Sequence, residues 1–547
     1  MTGRGAAALL GIAVTGVTIA LAEVLAALAG TGPGPVEAVA EAFIDLTPGW
    51  LKDLAIAWFG TSDKVALGAG IAVVVTALAA VAGTEERRRR LSGGALVAVL
   101  GAVAALATVS RPDGGAPAVW PVLAATVVGV LALPALTPRD AGLTPRDAAL
   151  TPRDAPLTPR DAVLTREGAL TRDGTTPDGS TPGSAVGPTA GQYVTRPDPA
   201  RRTLLIGAGL LAGVAVAAAA VARSTARPAP PAVALPEPDV PAPPVPAGAE
   251  LAVAGLTPLV TPNDDFYRID TAFIVPRVDA TTWQLRVHGM VEEEVVLTYE
   301  DLLAESLTEA WVTLCCVSNE VGGPLIGNAA WVGVPVREVL TRARPTAGAD
   351  MVLSRSVDGF SASTPLEVLT DGRDALLAVA MNGEPLPPEH GYPVRLVVPG
   401  LYGYVSATKW VSELEVTRFE DQTAYWTDRG WSERGPVKIS SRIDVPRSGA
   451  SLAVGEVAVA GVAWAQHTGI ARVEVRVDGG AWEEAELAGE LDVDTWRQWV
   501  YRWRAGAGEH LLEVRATDQD GEVQTGETRP VLPDGATGWH GVRVRVD

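Results

Sequence analysis

The chain holds only two cysteines, Cys315 and Cys316, and they are neighbours in Thr313-Leu-Cys-Cys-Val-Ser-Asn319. Two adjacent thiols build no disulfide framework. Their value is either chemical, as a nucleophile or soft metal ligand, or merely apolar, as small buried side chains. Histidine is scarce too, with five in all and none before His288. A haem carried between helices needs a pair of axial ligands, and the apolar N-terminal stretches offer neither His nor Cys. With no second cysteine cluster and no flavin motif, a redox reaction in this chain would pass its electrons to a separate carrier such as a cytochrome.

The elements that position these groups fall into two halves. Hydrophobic residues make up 47% of the 547 residues, and they concentrate near the N-terminus. Ala6–Ala29, Val65–Gly83, Gly93–Val109, Ala116–Leu133 and Thr203–Ala222 each approach the length that crosses a hydrocarbon core, roughly 17–25 residues. Arg4, Arg87–Arg90, Arg201 and Arg202 all fall on one side of such a bundle. By the positive-inside rule that side is the cytoplasm, and the C-terminal half lies outside. Val36–Phe59, between the first two spans, is expected to form one or two helices on the outer surface. Glu23 is the lone acid within the spans, which gives a proton relay little support. The net charge of -20 leaves no basic surface for a nucleic-acid partner.

From Leu136 a seven-residue unit, Leu-Thr-Pro-Arg-Asp-Ala-x, recurs. Pro138, Pro145, Pro152 and Pro159 forbid a continuous helix, so residues 136–200 read as a disordered linker. Ala200-Arg-Arg-Thr-Leu-Leu205 partly resembles a twin-arginine export signal, although plain anchoring explains the same arginines. A second proline-rich stretch, residues 225–250, reads as a semi-rigid spacer. Beyond it Trp283–His288 alternates like a strand, and Thr298-Tyr-Glu-Asp-Leu302 opens a helix with a capping box. Trp331–Val336 and Val394–Val398 are short strand runs, and Val336–Ala343 is a short helix. Val473–Val477 alternates ahead of an Asp478-Gly-Gly480 turn, with Trp496, Trp499 and Trp503 nearby, which is β-sandwich patterning. The tryptophans are read as core rather than as an electron path.

Thr313-Leu-Cys-Cys-Val-Ser-Asn319, Met381-Asn-Gly-Glu-Pro-Leu-Pro387, His390-Gly-Tyr-Pro-Val-Arg395, Val398-Pro-Gly-Leu-Tyr-Gly403 and Ser406-Ala-Thr-Lys-Trp410 occur in that order. Together they resemble the molybdopterin-binding domain of the sulfite oxidase family. Gly461-Val-Ala-Trp464, Val473–Gly480 and Val514-Arg-Ala-Thr-Asp518 are similar to that family's C-terminal immunoglobulin-like, dimerisation-type domain. The resemblance spans about residues 255–547. It implies a molybdenum–molybdopterin cofactor, oxygen-atom transfer and a possible homodimer. It also implies that Cys316 is the thiolate ligand to the metal. His390, Arg395, Ser406 and Lys409 match positions that hold the pterin and its phosphate, and Asn319 supports the cysteine loop. Asn263, Asp264 and Tyr267 are expected to line the cofactor as well. The chemistry suits the residue types: a soft donor for the metal, and cations with a hydroxyl for a phosphate.

The same resemblance exposes departures. The cysteine loop continues Ser318-Asn-Glu-Val321 where sulfite oxidases have Gly-Asn-Arg. Arg268-Ile-Asp-Thr271 replaces an Arg-Asn-His stretch, and Val379 replaces a Tyr. Phe266–Thr271 is more like the methionine sulfoxide reductase branch. The expected architecture is therefore multi-domain: a five-helix transmembrane region (spans in 1–135 and 201–224), an α/β molybdopterin-binding domain (251–432) and an all-β immunoglobulin-like sandwich (433–547). The expected protein is anchored in the cytoplasmic membrane and transfers oxygen to or from a small substrate outside it. The alternatives are a genuine sulfite oxidase and a non-catalytic receptor or scaffold.

Overall fold

The computed structural model describes residues 3–29, 34–47, 63–111, 116–137 and 235–547. The expected fifth span, the repeat linker from residue 138, the spacer up to residue 234 and residues 48–62 lie outside these.

In the N-terminal half the long apolar runs become helices: α1 (Gly3–Ala29), α3 (Asp63–Arg88), α4 (Ser92–Val109) and α5 (Ala116–Leu136). All four are long and apolar enough to cross a membrane. Gly11 of α1 and Gly83 of α3 face one another so closely that a Cβ at either would run into the opposing backbone, the small-residue contact typical of membrane helices. The short helix α2 (Pro35–Leu46) occupies the first part of the segment expected between the spans. Glu23 accepts from its Val36 N–H at 2.8 Å. Glu23 thus satisfies a helix end, which is a structural use.

The C-terminal half opens with β1 (Gln284–Gly289), β2 (Val295–Thr298), α6 (Tyr299–Leu303), β3 (Thr308–Cys315), β4 (Ile326–Pro335) and α7 (Val336–Ala343). It continues with β5 (Met351–Ser356), β6 (Ser361–Pro365), α8 (Leu366–Thr370), β7 (Leu376–Met381), β8 (Glu384–Pro385), β9 (Arg395–Val397), α9 (Gly403–Ser406) and β10 (Val411–Thr417). One sheet runs β2-β1-β10-β5-β6. The other runs β3-β4-β7-β8, with β9 also on β7. Strand β4 is buried along its whole length, so apolar and small residues fill both of its faces. The expected capping box at Thr298 is present: its side chain and that of Asp301 satisfy each other's backbone N–H.

The last region is built from β11 (Ser440–Val445), β12 (Ser451–Leu452), β13 (Gly455–Trp464), β14 (Ile470–Val477), β15 (Glu483–Glu484), β16 (Glu486–Leu487), β17 (Arg497–Ala505), β18 (Gly508–Asp518) and β19 (His540–Val546). Sheets β11-β13-β17-β16 and β12-β19-β18-β14-β15 share one core containing Val459, Val475, Trp499, Trp503, Val514 and Val544. Trp496 is buried as well and belongs to the core of the preceding domain. Its backbone N–H donates to Thr313 Oγ1 at 2.9 Å and its indole N–H to Leu259 O at 2.8 Å.

The proline-rich stretch is more than a spacer. Val240 N–H donates to Leu307 O, Glu309 N–H donates to Val240 O, and Trp311 Nε1 donates to Pro243 O at 2.9 Å. Extended chain with isolated non-proline residues can pair with a sheet edge, so this segment lies along β3 and belongs to the globular body.

Candidate functional site

Strand β3 ends at Cys315, which pairs with Ile326 of β4. The connection between them carries the second thiol. Cys316 N–H donates to Leu325 O at 3.0 Å, and Asn319 N–H donates to Cys316 O at 3.0 Å. The Asn319 amide oxygen accepts from Leu325 N–H at 2.9 Å, so this side chain closes the loop. The two thiols differ. Cys315 sits in the apolar core, with its Sγ 3.5 Å from Cys316 O. Cys316 is outside that core. Burial pushes its thiol up, while the backbone N–H and hydroxyl of Ser318 donate to it and pull the other way. The balance is upward, toward the neutral thiol, with Ser318 the group that opposes it. Burial pushes Cys315 up as well, with the neighbouring Cys316 adding to the effect.

The cationic groups lie on the segments around β9 and α9. His390 ends the turn Pro388–His390, and its Nε2 donates to Asn263 O at 2.9 Å. Burial, then the nearby Arg395, pushes the imidazole down to about 4. Arg395 is 5% exposed. Its Nη1 donates to His390 O at 3.1 Å, and the guanidinium lies 4.9 Å from the Trp331 ring centroid. Among the described residues no carboxylate pairs with it, and burial pushes it down to about 10. Lys409 Nζ meets Asp270 Oδ2 at 2.8 Å and donates to Glu389 O at 3.0 Å. Burial pushes it down to about 8 against the pull of Asp270. Gly391, at φ +113, lets these segments converge: a Cβ there would stand 3.0 Å from the Arg395 Cβ and 3.2 Å from Lys409.

Tyr267 joins the two groups. Its half-buried phenol is raised well above its ordinary range by desolvation, then by Cys316 and Cys315, with Arg395 opposing. It therefore stays protonated, as a donor. The Phe266 ring stacks on it at 5.3 Å and meets His390 edge-on at 5.6 Å.

The structure thus brings Cys316, Asn319, Tyr267, Asn263, His390, Arg395 and Lys409 into one neighbourhood. Two more residues expected at the cofactor make no hydrogen bond to these groups among the described residues. Asp264 is exposed on the turn Asn263–Asp265. Ser406 is fully buried, and its hydroxyl lies within hydrogen-bond reach of the Leu401 and Tyr402 carbonyls at 3.2 and 3.0 Å. Residues that the motifs alone did not single out also belong here. Ser318 serves Cys316, and Asp270 serves Lys409. Asn382 donates to Asn263 Oδ1 at 2.8 Å and accepts from Ala330 N–H at 3.0 Å. The Met-Asn-Gly motif was the available signal for Asn382.

Residues 272–426 match the model of an oxidoreductase molybdopterin-binding domain. The mitochondrial sulfite oxidase of Mus musculus is 31% identical over 339 residues, covering 52% of this chain and 62% of that protein. The chain therefore spans a little under two thirds of that relative's length. An uncharacterized oxidoreductase, YuiH, of Bacillus subtilis is 34% identical over 157 residues, 29% of this chain and 76% of that protein. Among solved structures, the sulfane dehydrogenase SoxCD of Paracoccus pantotrophus aligns with a TM-score of 0.46 and 26% identity, covering 54% of this chain and 82% of that chain.

The residues present fit the implied cofactor. An anionic group suits the buried Arg395 guanidinium, which no carboxylate pairs among the described residues, and a soft metal suits the buried Cys316 sulfur. A metal carried by a phosphate-bearing pterin brings both. On its sequence match to the molybdopterin-binding model, to the sulfite oxidases and to YuiH over most of that protein, the chain belongs to the sulfite oxidase family of molybdopterin-dependent oxidoreductases.

Proposed function

We propose that the protein is a membrane-anchored oxidoreductase that moves one oxygen atom to or from a small substrate, such as a sulfur compound, outside the cytoplasmic membrane. When bound, the molybdenum–pterin supplies two-electron oxygen-atom transfer. Cys316 holds the metal, and Ser318 steadies its sulfur as thiolate. Tyr267, protonated and beside the thiols, is a fixed donor to the substrate or to the oxygen in transit. Arg395 and Lys409 take the phosphate, His390 and Asn263 orient the pterin, and Asp264 and Ser406 lie at its margins.

In the oxidising direction the reaction balances as substrate and water giving oxygenated substrate, two protons and two electrons. Those electrons leave to a separate carrier such as a cytochrome. The four described apolar helices anchor the chain, and the apolar run of residues 203–222 has the length and composition for one more crossing. The basic clusters place the catalytic half outside. The C-terminal sandwich is an immunoglobulin-like module suited to pairing two copies.

The observation that carries this reading is the buried Arg395, which no carboxylate pairs among the described residues, in one neighbourhood with the buried Cys316 thiol. It is tested by screening small sulfur and nitrogen compounds and their oxides with the purified full-length protein and an artificial electron carrier. Turnover that needs molybdenum supports it, and full turnover in molybdenum-free protein ends it. Sulfite is the second reading, favoured by the mouse relative. Against it stands Glu320, exposed on the cysteine loop where a dianion calls for a cation. Sulfite-dependent ferricyanide reduction separates the two. A scaffold with a degenerate pterin fold would hold no metal at all.

A further inference from the structure

The cysteine loop touches a second domain. Strand β11 of the sandwich carries Arg442, which is 8% exposed. Its guanidinium is engaged at all three nitrogens. Nε meets Asp444 Oδ1 at 2.6 Å, Nη2 donates to Thr257 Oγ1 at 3.0 Å, and Nη1 donates to Gly323 O at 2.8 Å. Gly323 lies within the Cys316–Leu325 connection, and its N–H in turn donates to Glu320 O at 2.8 Å. The preceding Gly322 has φ +79, and a Cβ there would enter the ring of His540. That ring is fixed by the sandwich, because its Nδ1 accepts from Ile443 N–H at 3.0 Å.

The far end of the loop is therefore held from the sandwich by a hydrogen bond and a steric stop. Asp444 already answers the arginine's charge, so the Gly323 bond adds direction: a planar fork whose one arm is aimed at one carbonyl. The near end is held within the domain by Asn319. Loops whose ends are pinned keep a ligand within the narrow geometry that metal binding needs, and a loop freed at one end loses it.

We propose that Arg442, seated beside His540, is a positioning residue for the metal-binding thiol, so that the sandwich sets the geometry of a site whose ligands all lie in the preceding domain. This rests on the reading of Cys316 as the metal ligand. Arg442 touches neither thiol. It acts through Gly323, and from there through the hydrogen bonds that lead back to Cys316.

The test measures hydrogen exchange of the 316–325 segment in full-length protein, together with the molybdenum EPR signal of the loaded form. Arg442→Ala is expected to speed exchange in this segment about ten-fold, as removal of one buried hydrogen bond permits. Exchange in β13 and β17 should stay unchanged, and the EPR line shape should broaden. Arg442→Lys, which can still reach the Gly323 carbonyl with one N–H, is expected to return most of the protection and the native line shape. Thr257→Val, which removes a different arm, should leave the segment's exchange as it is. Unchanged loop exchange in Arg442→Ala overturns the proposal, as does loosening spread evenly through the sandwich. If the native protein bound no molybdenum, the reading of Cys316 would fall while the exchange data still decided whether the clamp exists.

Discussion

The two ends of the site are built on opposite logic. At the sulfur end, burial disfavours thiolate, and the surrounding donors, Ser318 on Cys316 and Asn319 on Cys315, pull toward it. At the basic end, burial disfavours cations, and the support is uneven. Lys409 has Asp270, while among the described residues Arg395 has carbonyls and an indole face and no carboxylate. A buried charge without an ionic partner costs several kcal/mol. It persists in a fold only where something else depends on it. The sulfur end sets hydrogen-bond donors against the burial of its thiols, and the basic end holds a guanidinium that no carboxylate pairs among the described residues. Strain of this kind marks the binding surface better than the presence of charged residues does, since the many exposed ion pairs elsewhere in the chain carry no such penalty.

The sharpest way to break that contrast is Arg395→Met. Molybdenum and pterin content should fall more than ten-fold, because an uncompensated phosphate would have to be buried. The melting temperature of cofactor-free protein should hold or rise, because a buried lone cation has been removed. A mutant that loses both together would make Arg395 structural.

The next effect is on stability against pH. His390 is held at about 4 against about 6.5 for an unfolded histidine. The unfolded chain therefore binds the extra proton between those values. Cofactor-free stability should be full above about pH 6.5 and should decline as pH falls toward 4, by up to about 1.4 kcal/mol per unit. His390→Gln should flatten this part of the curve in chemical denaturation at pH 7, 5.5 and 4.5. An unchanged slope would put the titrating group elsewhere.

The smallest effect sharpens the comparison from outside. Thr298→Ala removes a complete capping box at the exposed start of α6, which hydrogen-bonds to none of the site residues. It should cost about 1 kcal/mol of stability and leave molybdenum content unaltered. Loss of metal here would mean that cofactor content merely tracks stability.

Much of this was legible in the sequence for physical reasons. An apolar run of spanning length has few alternatives to a helix, so the starts and ends of α1, α4 and α5 lie within a few residues of the expected spans. Cys316, Asn319, His390 and Arg395 stand in motifs whose spacing is local, and the fold keeps them together. The partners were not legible. Lys409 and Asp270 are 139 positions apart, and Arg442 meets Gly323 across 119. No local pattern encodes such pairs. The proline-rich stretch reads as a spacer because an extended free chain and an extended edge partner share one backbone shape. Only the unpaired edge of β3 distinguishes them. Asp264 and Ser406 show the converse: sitting in or beside a motif did not aim their side chains at the cluster.

The central claim concerns one sulfur. Molybdenum should be measured by elemental analysis in full-length protein purified from a molybdenum-replete host, beside the Cys316→Ser and Cys315→Ser variants at matched folding. The expected result is about one metal per chain in the native protein and in Cys315→Ser, with metal lost from Cys316→Ser. Equal molybdenum in all three, or none in the native protein, would contradict it.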